Sequence, residues 1–247
     1  MRFRAFFVRT SKDILRDPLN ILFGLGFPLV VLLLLSAIQA NLPAEAQLPL
    51  FQLENLTPGV SVFGLSFLTL FSATLIAKDR ESALLQRLYT TPLTALEFIL
   101  GYALPLLPLA LGQCAVCYLV SLPLGLTPTG TIFPTLLLIL PVSLLFIALG
   151  LLCGSLMGVK QVGGVCGALL TNLTAWLSGV WFDVAMVGGA FQKIASALPF
   201  LHAVELERAA LRGDWTGLFP HLWWVLGYTA AVTALAVWAF LRQMKRR

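Results

Sequence analysis

Charged side chains are scarce in this chain of 247 residues. Asp, Glu, Lys and Arg together make up 11% of the sequence, whereas hydrophobic residues make up 59%. A soluble domain carries about 25% charged residues, because a small globule exposes most of its surface to water. The composition therefore excludes an ordinary soluble domain and indicates that lipid is the solvent for most of the chain.

Motifs of nucleotide-binding and hydrolytic proteins are also missing. A phosphate-binding loop needs lysine after glycine, and the five lysines of this chain instead follow Ser11, Ala77, Val159, Gln192 and Met244. The sequence contains neither G-x-S-x-G nor H-E-x-x-H, and no pair of aspartates lies in an apolar stretch. We therefore expect no catalytic residue, no cofactor site, and no ATP or Mg bound by this chain itself.

Six stretches without a charged residue are long enough to cross a bilayer. A membrane helix needs about 20 apolar residues, and its backbone groups must bond internally. The apolar runs lack the alternation that is typical of membrane β-strands. The sequence thus predicts an all-α membrane protein, one transmembrane domain over residues 1–247, with six transmembrane helices near residues 18–40, 58–77, 98–122, 131–157, 161–182 and 215–241.

The distribution of Lys and Arg predicts the orientation of these spans. With the N-terminus inside, 13 of the 16 basic residues lie on the cytoplasmic side, and only Lys193, Arg208 and Arg212 lie outside. This asymmetry agrees with the positive-inside rule. We expect a multi-pass protein of the bacterial inner membrane with both termini in the cytoplasm. The net charge of +5 then favours contact with anionic membrane lipids, and no nucleic-acid partner is expected.

Residues 2–16 predict an amphipathic helix that lies in the membrane interface before the first span. At 100° per residue, Phe3, Phe6, Phe7, Thr10 and Ile14 fall on one face, and the basic residues fall on the opposite one. Aromatic side chains on one face and cations on the other are typical of interfacial helices. An ordinary basic flank that only sets the topology is the alternative interpretation.

Residues 78–97 form a cytoplasmic connection that is longer than a hairpin needs. Leu84 and Leu88 lie on one side of a short predicted helix, and Pro92 ends this helix because the residue before a proline avoids helical geometry. Thr94 then opens a T-x-x-E capping box that starts the third span. An exposed ridge of leucines favours a docking surface for another protein. A solvated loop that packs on its own helices is the alternative.

Residues 184–213 lie outside, between the fifth and sixth spans. The segment is too short and too broken by glycines and Pro199 to cross the membrane, so it predicts an external re-entrant helical hairpin. Glu205 and Arg208 lie one helical turn apart on one face. His202 and Glu205 could hold a metal, but no third ligand lies nearby, so we expect no metal site.

Small residues recur every four positions in two of the spans. Gly150 and Gly154 do so in the fourth span, and Gly163 and Gly167 do so in the fifth. This spacing allows helices to approach closely. The pattern serves packing within the chain or contact between subunits, and both interpretations stay open.

Four span residues are candidates for a pathway or a subunit interface. Asn172 is a polar group within the fifth span, where it bonds to a neighbouring helix or lines a pathway. Phe67, Phe71 and Trp176 offer aromatic walls. Such walls suit an amphipathic or hydrophobic substrate, such as a drug, an antibiotic, a peptide or a lipid-linked molecule, although aromatic residues also anchor membrane interfaces.

The sequence K-D-R-E-S-A-L-L-Q-R-L-Y-T-T-P-L-T-A-L-E at 78–97 resembles the coupling-helix signature of type-2 ABC export permeases. In that family a charged R-E pair precedes T-P-L and a helix, and Ala83 stands near a position where the family often has glycine. The similarity extends to Asn20-Ile21-Leu22 with Phe27-Pro28 in the first span and to the segment 195–212.

The resemblance implies a complex of several chains. Two such subunits, copies or paralogues, would pair as a dimer, and each would dock one of two cytoplasmic ABC ATPase subunits that bind ATP and Mg. The resemblance also implies an external gate at His202, Glu205 and Arg208. It implies a coupling helix at 79–91, with ATPase-coupling residues Asp79, Arg80, Glu81, Leu84, Arg87 and Leu88.

The leading hypothesis is therefore the membrane-spanning subunit of an ATP-driven ABC exporter, which is not itself an enzyme. A structural membrane subunit without transport is one alternative. An ion-coupled secondary transporter is another, but ion coupling needs ionisable groups near the bilayer centre. The predicted spans hold none except His221, close to a membrane edge.

Overall fold

The computed structural model describes residues 2–82 and 95–245, and every regular element in these ranges is helical. Two π-helical segments continue α-helices: Leu22–Gly26 joins the helix Pro18–Ile21 to the helix Phe27–Asn41, and Gly163–Leu170 joins the helix Val159–Val162 to the helix Thr171–Leu177. The α-helices are α1 (Arg2–Arg16), α2 (Pro18–Ile21), α3 (Phe27–Asn41), α4 (Leu53–Glu81), α5 (Ala95–Ala103), α6 (Leu106–Leu124), α7 (Ile132–Leu156), α8 (Val159–Val162), α9 (Thr171–Leu177), α10 (Val184–Val187), α11 (Gly189–Ala197), α12 (Pro199–Arg212) and α13 (Trp215–Lys245).

Five helices within the described ranges are long and apolar enough to cross a membrane. The predicted fifth span at 161–182 is not among them. There the chain forms α8, a π-helical segment and α9, which ends at Leu177. Lys160 and Asn172 make this stretch more polar than the others. The five are Leu22–Asn41, Leu53–Glu81, Glu97–Leu124, Ile132–Leu156 and Trp215–Arg242.

The second of these helices, α4, begins earlier than the sequence suggested. The predicted span starts near residue 58, but α4 begins at Leu53, and the N–H of Leu56 already donates to the carbonyl oxygen of Gln52 at 2.8 Å. The Thr57 hydroxyl is buried and bonds to a serine of α6. A proline near a helix start removes only one backbone hydrogen bond, so the helix continues through it.

The third span is divided rather than continuous. The predicted stretch 98–122 contains the end of α5 at Ala103, a turn at Leu104, and the start of α6 at Leu106. Pro105 lies in this turn and has no N–H to donate to the preceding helical turn. The break lets α5 pack against α1 while α6 packs against α4.

The centre of the fold is α4, whose apolar stretch is 83% buried within the chain. Its most extensive contact is with α7. A β-carbon on Gly150 would collide with Ser72 Oγ, and one on Gly154 would collide with the backbone of Ala73. The small residues of the fourth span therefore serve packing within the chain, because only glycine lets α7 approach α4 this closely.

The N-terminal helix α1 packs on protein with part of the face that we expected to lie in lipid. Phe6 and Ile14 are buried, and a β-carbon on Gly101 of α5 would collide with the Phe6 ring. The ring of Phe6 also makes edge contacts with Phe98 and Tyr102 at centroid distances of 5.7 and 5.0 Å. The apolar side of α1 thus fixes α1 to α5.

We predict that Gly154→Ala destabilises the chain, whereas Gly227→Ala does not. The new methyl group on α7 meets backbone atoms of α4 that cannot rotate away, and overpacking costs about 1–3 kcal/mol. Gly227 in α13 has open space around its Cα, so its substitution is the matched control. Denaturation by SDS in mixed micelles measures both free energies of unfolding. Equal stability of the two variants would contradict this account of the α4–α7 contact.

Candidate functional site

The last three residues of α4 are all charged, and each bonds to a different part of the fold. Asp79 is 4% exposed. The guanidinium of Arg9 in α1 donates to both Asp79 carboxylate oxygens at 2.6 Å. The hydroxyl of Tyr102 in α5 donates to Asp79 Oδ2 at 2.8 Å. A buried carboxylate needs such partners, so Asp79 joins α1 and α5 to the end of α4.

The pair with Asp79 is the stronger of the two ion pairs that Arg9 makes. The side chains of Arg9 and Asp13 are 40% and 43% exposed and lie 3.1 Å apart, and an exposed pair of this kind contributes about 0–1 kcal/mol. The pKa of Arg9 is raised, mainly by the hydrogen bonds to Asp79, whereas partial burial acts in the opposite direction. A two-pronged contact with a buried carboxylate also fixes the direction of the guanidinium.

Arg80 bonds to the C-terminal end of α7. Its guanidinium donates to the carbonyl oxygens of Ser155 and Met157. The last carbonyl groups of a helix have no partner within that helix and carry partial negative charge. Arg80 supplies both a donor and a positive charge at this place, so α7 is held to the end of α4.

Glu81 bonds to the N-terminal end of α8. The backbone N–H of Val159 donates to Glu81 Oε1 at 2.9 Å. A carboxylate at a helix N-terminus accepts from unpaired N–H groups and complements their partial positive charge. The neighbouring Gly158 leaves room for this approach, because a β-carbon there would lie 3.3 Å from the same oxygen.

We call this cluster the Asp79 end, defined by Asp79, Arg80 and Glu81 with their partners. Three adjacent side chains connect the end of α4 to four other helices, so a displacement of this end must move them or break these bonds. The arrangement has no acid–base chemistry to perform, since every charged group is engaged by a structural partner. The other predicted coupling residues, Leu84, Arg87 and Leu88, lie outside the described residues.

A second cluster lies at the opposite end of α4, around Arg208 of α12. The Arg208 side chain is 6% exposed. It donates to the carbonyl oxygens of Asn55 at 3.2 Å and Gly179 at 3.0 Å, and to Glu205 Oε1 at 2.8 Å. We call this cluster the Arg208 end. The expected pairing of Glu205 with Arg208 is present, and the two backbone bonds further tie α12 to α4 and to the chain after α9.

His202, the third predicted gate residue, does not join the Arg208 end. Its Nδ1 lies 2.8 Å from Nδ1 of His221 in α13, and its Nε2 lies 2.9 Å from the carbonyl oxygen of Ser196. A carbonyl only accepts, so His202 Nε2 donates and, in the neutral ring, its Nδ1 accepts from His221. The ring stacks on Trp224 at 4.9 Å. His202 therefore fastens α12 to α13.

A cavity of about 630 Å³ opens beside Arg208. Its wall combines charged and polar groups, such as Arg208, Arg212 and Glu205, with large apolar side chains. A cavity of this volume and mixed lining can hold a molecule of drug size that has a polar and an apolar part. The apolar lining includes Leu48, Pro49, Leu50, Trp181, Phe182, Met186 and Leu201.

The four pathway candidates divide into two groups. Phe67 and Phe71 are 7% and 4% exposed and lie inside the chain, where Phe67 packs against the ring of Phe27 at 5.4 Å. Asn172 and Trp176 lie on the outer side of α9. Asn172 donates to the carbonyl oxygen of Ala168 in its own helix at 2.8 Å, and Trp176 is 59% exposed. The structure does not bring the two groups together.

Arg9 and Tyr102 belong to the Asp79 end, and Glu207 lies buried in α12, but none of the three was predicted from the sequence. Arg9 and Asp79 are 70 positions apart, and no local pattern links them. Glu207 is completely buried. The sequence could have predicted this burial of Glu207. The residue lies about 200° around the helix from Glu205 and thus faces away from the charged side of α12.

The family model described as ABC-2 type transporter matches residues 1–211. No curated protein matches the chain. The matched residues include the Asp79 end and reach almost to the end of α12.

We predict that Asp79→Asn lowers the free energy of unfolding by about 1.5–3 kcal/mol, the range for hydrogen bonds to charged groups. The amide keeps the size of the side chain but loses the charge that Arg9 contacts. Asp13→Asn is the matched control, since it removes the exposed partner of the same arginine and should cost about 0–1 kcal/mol. Mixed-micelle denaturation measures both. A larger loss in Asp13→Asn than in Asp79→Asn would refute the ranking.

Proposed function

The chain belongs to the ABC-2 type transporter family and is a membrane component of an ABC transporter, and we propose that it forms, as a dimer, the export pathway of a complex driven by a separate ATPase. The observation that carries the proposal is the Asp79 end. There, the residues that begin the predicted coupling helix hold four other helices through buried or directed polar bonds.

The energy source in this proposal is a partner chain. Members of this family normally work with an ATPase subunit. None of the five lysines follows a glycine, so the chain has no phosphate-binding loop of its own. We propose two cytoplasmic ABC ATPase subunits per complex, each with ATP and Mg and each docked on one copy of the segment 79–91.

Coupling in this proposal is mechanical. Closure of the ATPase subunits on ATP pushes the segment after Glu81. The force then passes through Asp79 to α1 and α5, through Arg80 to α7, and through Glu81 to α8. Packed helices shift as units rather than deform continuously, so a small displacement at this end changes the access of the pathway from one side to the other.

The proposed topology has six spans. The helical stretch from Val159 to Leu177 would be the fifth, since 19 residues at up to about 1.5 Å each extend at most about 28 Å, close to the thickness of a hydrocarbon core. Both termini and the Asp79 end then lie in the cytoplasm of a bacterial cell, and the Arg208 end lies outside. The excess of Lys and Arg on the proposed inner side supports this orientation.

The pathway would run between two copies of the chain, as homodimer or heterodimer. The outer side of α9, with Asn172 and Trp176, is available for contact with a second copy or with lipid. Phe67 and Phe71 form an apolar interior wall of the chain, where Phe67 packs against Phe23 and Phe27 and Phe71 lies beside Gly24. We place the external gate at α12, where Arg208 holds the connections to α4 and to Gly179.

The proposed substrate is amphipathic or hydrophobic: a drug, an antibiotic, a peptide or a lipid-linked molecule. The cavity beside Arg208 supports this choice, because it presents guanidinium groups and aromatic rings to the same space. A structural membrane subunit without transport is the alternative, and ATPase coupling separates the two.

We predict that Glu81→Gln weakens coupling to the ATPase while the protein still inserts in the membrane. The amide keeps the shape of the carboxylate but loses the charge that favours the N-terminus of α8. We expect the stimulation of ATP hydrolysis by the permease to fall at least about 5-fold. This factor is the lower end of the usual coupling between two sites. The measurement is ATPase activity of the complex reconstituted in liposomes.

The matched control for this experiment is Glu54→Gln, at the other end of the same helix. Glu54 is exposed, and its substitution should leave the stimulation unchanged. Wild-type stimulation in Glu81→Gln would remove the role assigned to Glu81. Absence of an ATPase from the purified complex would favour the structural subunit.

A second prediction concerns Leu84 and Leu88. In a background without the four native cysteines, we expect Leu84→Cys or Leu88→Cys to form crosslinks to the ATPase subunit, because the predicted leucine ridge docks there. A cysteine in place of Ser196, at the proposed outer side, is the negative control. Crosslinks from position 196 but none from 84 or 88 would reverse the proposed orientation.

A further inference from the structure

One buried carboxyl group in the fold has no partner. Glu207 of α12 is 0% exposed, and neither of its carboxylate oxygens has a hydrogen-bond donor among the described residues. Its neighbour Arg208 does not compensate it, since the guanidinium is engaged by Glu205 and by two backbone carbonyl groups. In the part of the chain that the structure describes, this buried group thus has neither a counter-charge nor a donor.

The surroundings of Glu207 are apolar or neutral. On α12, the buried neighbours along the same helix include Ala203, Ala210 and Leu211. On α6, Cys114 and Tyr118 lie near enough to feel the charge of Glu207, and the Tyr118 hydroxyl is also buried without a partner. Two polar groups without partners therefore lie at the contact between α6 and α12.

Charged groups on the other helices that pack against α12 are engaged or distant. On α4, Glu54 is exposed, and the remaining charges lie at the Asp79 end. α7 and α9 contain no charged residue. On α13, His221 bonds to His202, and Tyr228 donates to the carbonyl oxygen of Ala197. On α11, the charged residue Lys193 is exposed. Within the described ranges, then, no cation is paired with the Glu207 carboxyl group.

An ionised carboxylate in such a place is far more costly than a neutral carboxylic acid, so buried groups of this kind take up a proton. Burial alone raises the pKa of Glu207 well above its ordinary value. The geometry and the electrostatics thus lead to the same protonation state.

We infer that Glu207 is a proton-binding site. The chain holds one proton there at neutral pH while α12 is packed against α6, and it releases that proton when the two helices separate and water reaches the carboxyl group. The ligand is a proton, and the contact between α6 and α12 is the element that responds to it. This inference does not depend on the partner ATPase or on the substrate.

The sign of the pH effect follows from linkage. The packed state binds the proton more tightly than the separated or unfolded state. The stabilisation is therefore complete below the ordinary pKa of glutamate, about 4.3, and is lost as the pH rises through the raised pKa of Glu207. Between these two values, the equilibrium constant for unfolding through this group increases about tenfold per pH unit.

The first experiment is infrared spectroscopy of the purified full-length chain in lipid nanodiscs at neutral pH. Exposed carboxyl groups are ionised there, so we expect the carbonyl band of a single protonated carboxylic acid, absent in Glu207→Gln and present in Glu54→Gln. The wild-type spectrum alone decides the question if Glu207→Gln does not fold. No protonated-acid band in the wild-type protein would overturn the inference.

The second experiment measures thermal unfolding from about pH 6 to about pH 9, where linkage predicts the effect. We expect the Tm of wild-type protein and of Glu54→Gln to fall as the pH rises, and the Tm of Glu207→Gln to fall much less. Equal pH dependence in all three proteins would contradict the proposal. A Tm that depends on Na⁺ or K⁺ but not on pH would replace the proton by a metal cation and would also overturn it.

Discussion

A helix that is buried along its length but charged at its end must find partners for those charges inside the fold. In α4 this requirement is met at Asp79, where a carboxylate that is 4% exposed receives two bonds from Arg9 and one from Tyr102. Without these donors the end of α4 could not stay buried, because an unpaired interior charge costs several kcal/mol. The positions of α1 and α5 follow from this contact, and the glycines of α7 then allow the second large contact of α4.

The two ends of α4 meet the same requirement in different ways. At the Asp79 end the helix itself provides the charges, and other helices provide donors and acceptors. At the Arg208 end the charge comes from α12, and α4 contributes only a backbone carbonyl group at Asn55. An acid–base pair fixes both partners in position, whereas a guanidinium on carbonyl oxygens can be released without leaving a second charge behind. Separation of α12 from α4 thus leaves Arg208 paired with Glu205 of its own helix, whereas separation of α1 from α4 removes the cation that is paired with Asp79.

The all-helical fold and the positions of five apolar helices could be predicted from the sequence, because charge-free stretches of this length have few alternatives in lipid. The start of α4 could not, since proline near a helix start is compatible with both a boundary and an interior position. The partners of Asp79 could not be found either, because bonds between residues 70 positions apart leave no local pattern. Coupling residues Asp79, Arg80 and Glu81 were selected by resemblance alone, and their bonds to α1, α5, α7 and α8 emerged only from the geometry. The coupling role of all six residues, including Leu84, Arg87 and Leu88, stays a prediction.

The chain between α8 and α9 is π-helical, over Gly163–Leu170, so it contains more residues than an α-helix of the same number of turns would. Of the two glycines that the sequence predicted on one face, Gly167 contacts Leu70, whereas Gly163 has open space around its Cα. Loss of one residue from this segment would return it to ordinary α geometry without moving either end. Relatives that have one residue fewer in this segment can therefore keep the same fold. A sequence alignment that treats this one-residue difference as a loop insertion would misalign the helical residues on either side of it.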